Sequence, residues 1–208
     1  MTALRLVRHG EVAAPHRGSF YGQLDVPLSP EGLAGSLRLA AELARDAPDC
    51  VYTSPLSRAR ALAQAAAEGC GAPLVVEPAF AELDRGLWTG RARTAIEAET
   101  PGAVAAYVAD PEGGSAPGGE RESELSARVW GAVDALANRQ AGRRVLLVAH
   151  AHVLRVLMAR VAGWSPAESM QHFLPLLGVA DLELTGGAWR IVSAPEPLDQ
   201  ERVLRPQG

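Results

Sequence analysis

The chain has 208 residues, 48% of them hydrophobic and 21% charged, which is the composition of a globular protein long enough for one large core. A net charge of −4 gives no basic footprint for nucleic acid, and no apolar run reaches the roughly 18 residues of a membrane span. No signal peptide is expected, and two cysteines outside any metal or redox spacing, Cys50 and Cys70, read as small buried hydrophobes in a reducing, cytoplasmic setting.

"ALRLVRH" at 3–9 reads as the first strand. Ser29-Pro30-Glu31 then offers a helix cap with proline in the first turn, and "EGLAGSLRLAAELARD" follows. "DCVYTSP" at 49–55 is a second strand, and the Ala-rich "LSRARALAQAAAEG" after it is a helix expected to stop at Gly69. "PLVVEP" at 73–78 is a third strand. Residues 86–122 are rich in Gly, Pro and Ala, and are expected to form a lid-like insertion that includes the "PGGE" turn at 117–120. A helix is expected over Ser123 to Arg139, a strand in "RRVLLVAH" at 143–150, and a helix in "HVLRVLMARVAG" at 152–163. "VADLELTGGAWRIVSAP" at 179–195 reads as a hairpin around Gly186-Gly187.

The first four strands lack polar alternation, as strands buried on both faces do. Strands alternating with helices imply an α/β fold, a three-layer αβα sandwich with a mostly parallel central sheet, in one domain over 1–208. Ligands in such folds bind beyond the carboxyl ends of the strands. Those ends carry Arg8, His9 and Gly10, then Ser54 and Arg58, then Glu82, then His150. Two forked guanidiniums suit a phosphate dianion, a neutral imidazole is a nucleophile near neutral pH, and a carboxyl group can protonate a leaving oxygen.

"LVRHGE", "YTSPLSRA", "ELDRGLWTG" and "LLVAHAHVLR", in that order along almost the whole chain, resemble the four signatures of the histidine phosphatase superfamily, also called phosphoglycerate mutase-like. The resemblance implies that His9 becomes phosphorylated, that Arg8, Arg58 and His150 bind the phosphoryl group, and that Glu82 is the proton donor and later the base. Gly10 would let the backbone approach the bound group, and Tyr21, Gly22 and His152 would lie on the substrate side. The stretch "GSFYGQLDVPLSPEG" is most similar to the α-ribazole phosphatase branch. The implied activity is metal-independent hydrolysis of a small phosphomonoester, with no cofactor, no nucleic-acid or membrane partner, and a homodimer left open.

This sequence departs from the family pattern at three places. Pro15 stands where mutases carry an Asn that binds phosphate, Val12 where Ser or Thr is usual, and His152 where a small residue is usual. A mutase, a phosphoprotein phosphatase and a non-catalytic phospho-ligand module remain as alternatives. Glu11 is an alternative acid. Arg60 reads as a helix-surface cation and Trp88 as packing. Arg155 reads equally as an anchor for a carboxylate or as a surface residue. "HAH" at 150–152 has metal-ligand spacing without acidic or Cys partners.

Overall fold

The computed structural model describes residues 1–110 and 114–195; residues 111–113 of the expected lid and 196–208 of the expected domain lie outside them. Six strands form one sheet: β1 (Thr2–Arg8), β2 (Cys50–Thr53), β3 (Leu74–Val76), β4 (Arg144–Ala149), β5 (Val179–Thr185) and β6 (Ala188–Ser193). Their order across the sheet is β3-β2-β4-β1-β5-β6. The first four strands of that order run parallel, and β5 and β6 are antiparallel additions at one edge. The β5–β6 turn is Gly186-Gly187 with φ of 62° and 84°, values that suit glycine and make a tight hairpin.

Both faces of the parallel strands are apolar because a helix pair covers each. On one face Val7, Val51, Leu146 and Val148 pack against α1 (Pro30–Arg45) and α2 (Ser57–Cys70), through Ala40, Leu43, Leu62 and Ala63. On the other, Leu4, Leu6, Tyr52 and Leu147 meet α5 (Glu122–Arg139) and α6 (Ala151–Ala162), through Leu125, Val129, Val133 and Leu154. This is the three-layer arrangement expected, and it explains why alternation is missing from the strand sequences.

Helix starts follow local chemistry. The Ser29 hydroxyl oxygen accepts the Gly32 N–H at 2.9 Å and Pro30 fills the first helical position of α1. α2 does not stop at Gly69. It continues to Cys70 and ends where Gly71 takes a φ of 70°, a left-handed conformation that a residue with a Cβ resists. Cys50 is buried, as expected, but Cys70 is only partly so.

The 86–122 segment differs most from expectation. It holds two seven-residue helices, α3 (Arg93–Glu99) and α4 (Ala103–Ala109), around a small core of Phe20, Trp88, Ile96, Val104 and Ala116. The 117–120 turn is pinned to the main body: Leu87 N–H donates to the Pro117 carbonyl at 2.9 Å, and Glu120 N–H to the Asp84 carbonyl at 3.1 Å. Gly86 (φ 48°) is packed against that turn so closely that an added Cβ would strike the backbone at Pro117 and Gly119. Gly114 and Gly119 are packed as closely, each against backbone oxygens, whereas Gly118 has open space around it.

Candidate active site

Strand register sets the site. Arg8 pairs with Ala149 across β1 and β4, and Thr53 with Val148 across β2 and β4, so the next residues, His9, His150 and Ser54, leave the sheet at one level. Arg58 follows one turn later, in the first turn of α2, whose start is fixed by Asp25 Oδ1 accepting the Ser57 amide and hydroxyl at 2.8 and 2.7 Å. All four candidate residues from this edge of the sheet (Arg8, His9, Arg58 and His150) are buried.

His9 Nδ1 lies 2.7 Å from the Gly10 carbonyl oxygen. A carbonyl only accepts, so the imidazole proton sits on Nδ1 and Nε2 carries the lone pair. The His9 and His150 rings meet edge to face with centroids 5.1 Å apart. His150 Nε2 is 2.6 Å from Ser54 Oγ. Arg8 Nη1 donates to the Leu174 carbonyl at 2.7 Å, and Arg58 donates to the Leu24 and Gly22 carbonyls at 2.9 and 2.7 Å. Arg58 also stacks over Tyr21, 4.9 Å from the ring centroid. Arg8 Nε, Arg58 Nε and His150 Nδ1 are buried without a protein partner. Three such orphaned groups in one place, on the residues expected to hold a phosphoryl group, suit an anion with several acceptor oxygens.

Glu82 is also buried, in the loop after β3. Its Oε1 accepts the Leu83 N–H at 2.9 Å, and its Oε2 accepts the His152 N–H at 3.4 Å and faces His152 Nδ1 at 3.5 Å. Burial pushes this carboxyl up, but the donors from His152 and the Leu83 amide outweigh it and hold the group well below the usual carboxylate range. Glu11 is already engaged, accepting from Arg17 at 2.7 Å and from the Ser29 hydroxyl at 2.9 Å.

Arg8, His9, Glu82, Tyr21, Gly22 and His152 line one cavity, with buried Arg58 against Tyr21 and Gly22 and buried His150 against His9. A Cβ on Gly10 would strike the Gly32 carbonyl and Ser36 of α1, so this glycine also permits a close approach to a helix. Arg155 is a fully buried anchor, not a surface residue, and holds Glu122 through two bonds of 2.8 and 2.6 Å. Arg60 is exposed and Trp88 packs in the small core, as expected. The sequence reading missed Arg85, Arg17 and Arg93, which add cations to the cavity wall. Arg85 lies within "ELDRGLWTG", but nothing in the spacing of that loop says which side chains turn inward. His150 and His152 engage different partners, and among the described residues no three His, Cys, Asp or Glu side chains are grouped to hold a metal ion.

Residues 4–196 match the histidine phosphatase superfamily (branch 1). The chain belongs to that superfamily. Among its relatives, a probable phosphoglycerate mutase GpmB of Cronobacter sakazakii is 31% identical over 163 residues, 78% of this chain and 76% of that one. Phosphoserine phosphatase 1 of Hydrogenobacter thermophilus is 30% identical over 163 residues, 78% of this chain and 77% of that one. The solved α-ribazole phosphatase of Shigella flexneri superposes with a TM-score of 0.84 at 23% identity, over 94% of this chain and 98% of that one, a likeness of fold. This histidine phosphatase is a phosphatase enzyme with the phosphoglycerate mutase-like architecture expected of it. No helix among its described residues is long and apolar enough to cross a membrane.

The buried imidazoles make its stability depend on pH. Burial, then Arg58 and Arg8, push His9 down to about 3. Burial, then Arg85, push His152 down to about 4, and burial followed by Arg58 lowers His150 well below its usual value. In the unfolded chain these groups titrate near about 6.5. Between that value and the folded ones the unfolded state binds more protons, so the stability is fully present above about 6.5 and is lost as pH falls through the folded values. We expect the urea midpoint to fall between pH 7 and pH 5, with up to about 1.4 kcal/mol per unit from each fully titrating imidazole. A midpoint constant over that window would show that these rings are not held neutral.

Proposed function

We propose that this enzyme hydrolyses small phosphomonoesters without a metal, through a phosphohistidine on His9. The observation that carries the reading is the 2.7 Å contact from His9 Nδ1 to the Gly10 carbonyl, which leaves Nε2 as a nucleophile beside Arg8, Arg58 and His150. Nε2 attacks phosphorus in line, the N–P bond forms and the ester P–O bond breaks. Arg8, Arg58 and His150 hold the equatorial oxygens as charge builds on them. Glu82 is ionised in the free site, so the proton for the leaving oxygen enters with the substrate monoanion and passes through Glu82. Glu82 then takes a proton from the water that cleaves the N–P bond, and His9 returns as neutral imidazole. Two guanidiniums and the imidazole donors supply the charge stabilisation that a metal supplies elsewhere. Free Cys50 and Cys70 fit the reducing cytoplasm.

α-Ribazole 5′-phosphate stays among the candidate substrates on the similarity of 18–32 to that branch. The mutase reading has the GpmB relative in its favour, and the phosphatase reading the phosphoserine phosphatase. Against it, Pro15 is exposed in the turn at Ala14–His16 and provides no side-chain donor for a second substrate pose. We expect release of inorganic phosphate from a panel containing α-ribazole 5′-phosphate, phosphoserine and 3-phosphoglycerate, undiminished by EDTA. Interconversion of 3- and 2-phosphoglycerate faster than phosphate release would establish a mutase. Inactivation by chelator with recovery on added metal would overturn the metal-independent route.

A further inference from the structure

We propose that His152 is a positioning residue for Glu82: Arg85 locks its imidazole as the neutral Nδ1–H tautomer, and that N–H holds Glu82 Oε2 in place. Arg85 Nη2 lies 3.2 Å from His152 Nε2. A guanidinium has only donors, so Nε2 must accept and the ring proton must sit on Nδ1. Nδ1 is the atom that faces Glu82 Oε2, at 3.5 Å, while the same residue's backbone N–H reaches that oxygen at 3.4 Å.

Arg85 is itself fixed. It is buried, it donates to the Tyr107 hydroxyl from its other end, and it lies over the Phe20 and Tyr107 rings at 5.2 and 5.4 Å. The Phe173 ring closes on His152 edge to face at 5.1 Å. Tyr107 belongs to α4, so a chain of contacts runs from the 86–122 segment through Arg85 and His152 to the carboxylate.

The charged groups around the ring explain why it stays neutral. Arg85 faces it from the loop after β3 and Arg155 from its own helix, and both oppose protonation, as does burial. Glu82 alone favours it among the causes of the shift. Asp110 and Glu122 share a small cavity with the ring, and Glu122 is already bound to Arg155. A neutral donor steadies the carboxylate without neutralising it, which is what a group that must later accept a proton from water needs.

The proposal rests on the phosphatase reading for its kinetics, but its tautomer can be measured without turnover. Nitrogen-15 histidine spectra of the whole protein should show His152 as Nδ1–H and unprotonated from pH 7 to pH 5, the signal being identified by its loss in His152→Asn. In Arg85→Met, with the lock gone, the ring should turn to the Nε2–H form or titrate within that range. With p-nitrophenyl phosphate, His152→Ala should lower kcat by about tenfold to a hundredfold. It should also move the acid limb of the kcat profile up by about half a unit to one unit, because a carboxylate that loses a donor binds its proton more tightly. His152→Asn, whose amide N–H stands near the place of Nδ1–H, should restore most of both effects. An Nε2–H or protonated His152 in the wild type would overturn the proposal. So would an unmoved acid limb in His152→Ala, or an asparagine variant as impaired as alanine. A wild type inert on every phosphomonoester would sink the phosphatase reading, and the spectra would still decide the tautomer.

Discussion

Replacing His9 by alanine should lower kcat by about 10⁴- to 10⁶-fold while the protein stays folded, because the two-step route then has no nucleophile. The geometry offers no substitute. His150 is the other imidazole at this level of the sheet, but Ser54 takes its Nε2 at 2.6 Å, and its unpartnered Nδ1 is the donor left to hold a phosphoryl oxygen. Arg8 and Arg58 remain to bind the anion, so phosphate or vanadate should still protect the variant against unfolding. Loss of that protection together with activity would point to a collapsed site. A variant retaining a tenth of wild-type turnover would mean that water, not His9, attacks phosphorus.

The second large effect belongs to Glu82→Gln and depends on the leaving group. Gln fills the same space and keeps an acceptor for the Leu83 amide, so the 2.9 Å contact can persist. An alkyl phosphate needs its leaving oxygen protonated, and kcat on it should fall by about 10² to 10⁴. p-Nitrophenolate leaves without help, so His9 should still be phosphorylated quickly. The second half-reaction also loses its base. The variant should therefore release a burst of p-nitrophenol close to one per enzyme and then turn over slowly. Equal losses on both substrates with no burst would make Glu82 a structural carboxylate.

Much of this was legible in the sequence, for identifiable reasons. The four parallel strands are buried on both faces, which removes alternation and leaves Val- and Leu-rich runs that can be read directly. Their ends carry polar residues that the parallel register then brings to one level, so Arg8, His9 and His150 could be grouped before their distances were known. What could not be read lies in the loops. α3 and α4 have seven residues each and bury single side chains such as Ile96 and Val104 against Trp88 and against Phe20, which is distant in sequence, so no period betrays them. Arg85 and Arg155 turn inward because Tyr107, His152 and Glu122 wait for them, and those partners come from other elements. The end of α2 at Gly71, two residues past Gly69, depended on which glycine takes the left-handed conformation.

The central claim is that the phosphoryl group passes through His9. Quenching the wild-type enzyme within milliseconds of mixing with a labelled phosphomonoester, then digesting it at alkaline pH and locating the label by mass spectrometry, tests this directly. The account predicts up to one phosphate per chain on His9, lost in acid, and none in the His9→Ala variant. An acid-stable phosphate on a hydroxyl residue such as Ser54, or label that never enters the protein during turnover, would contradict it.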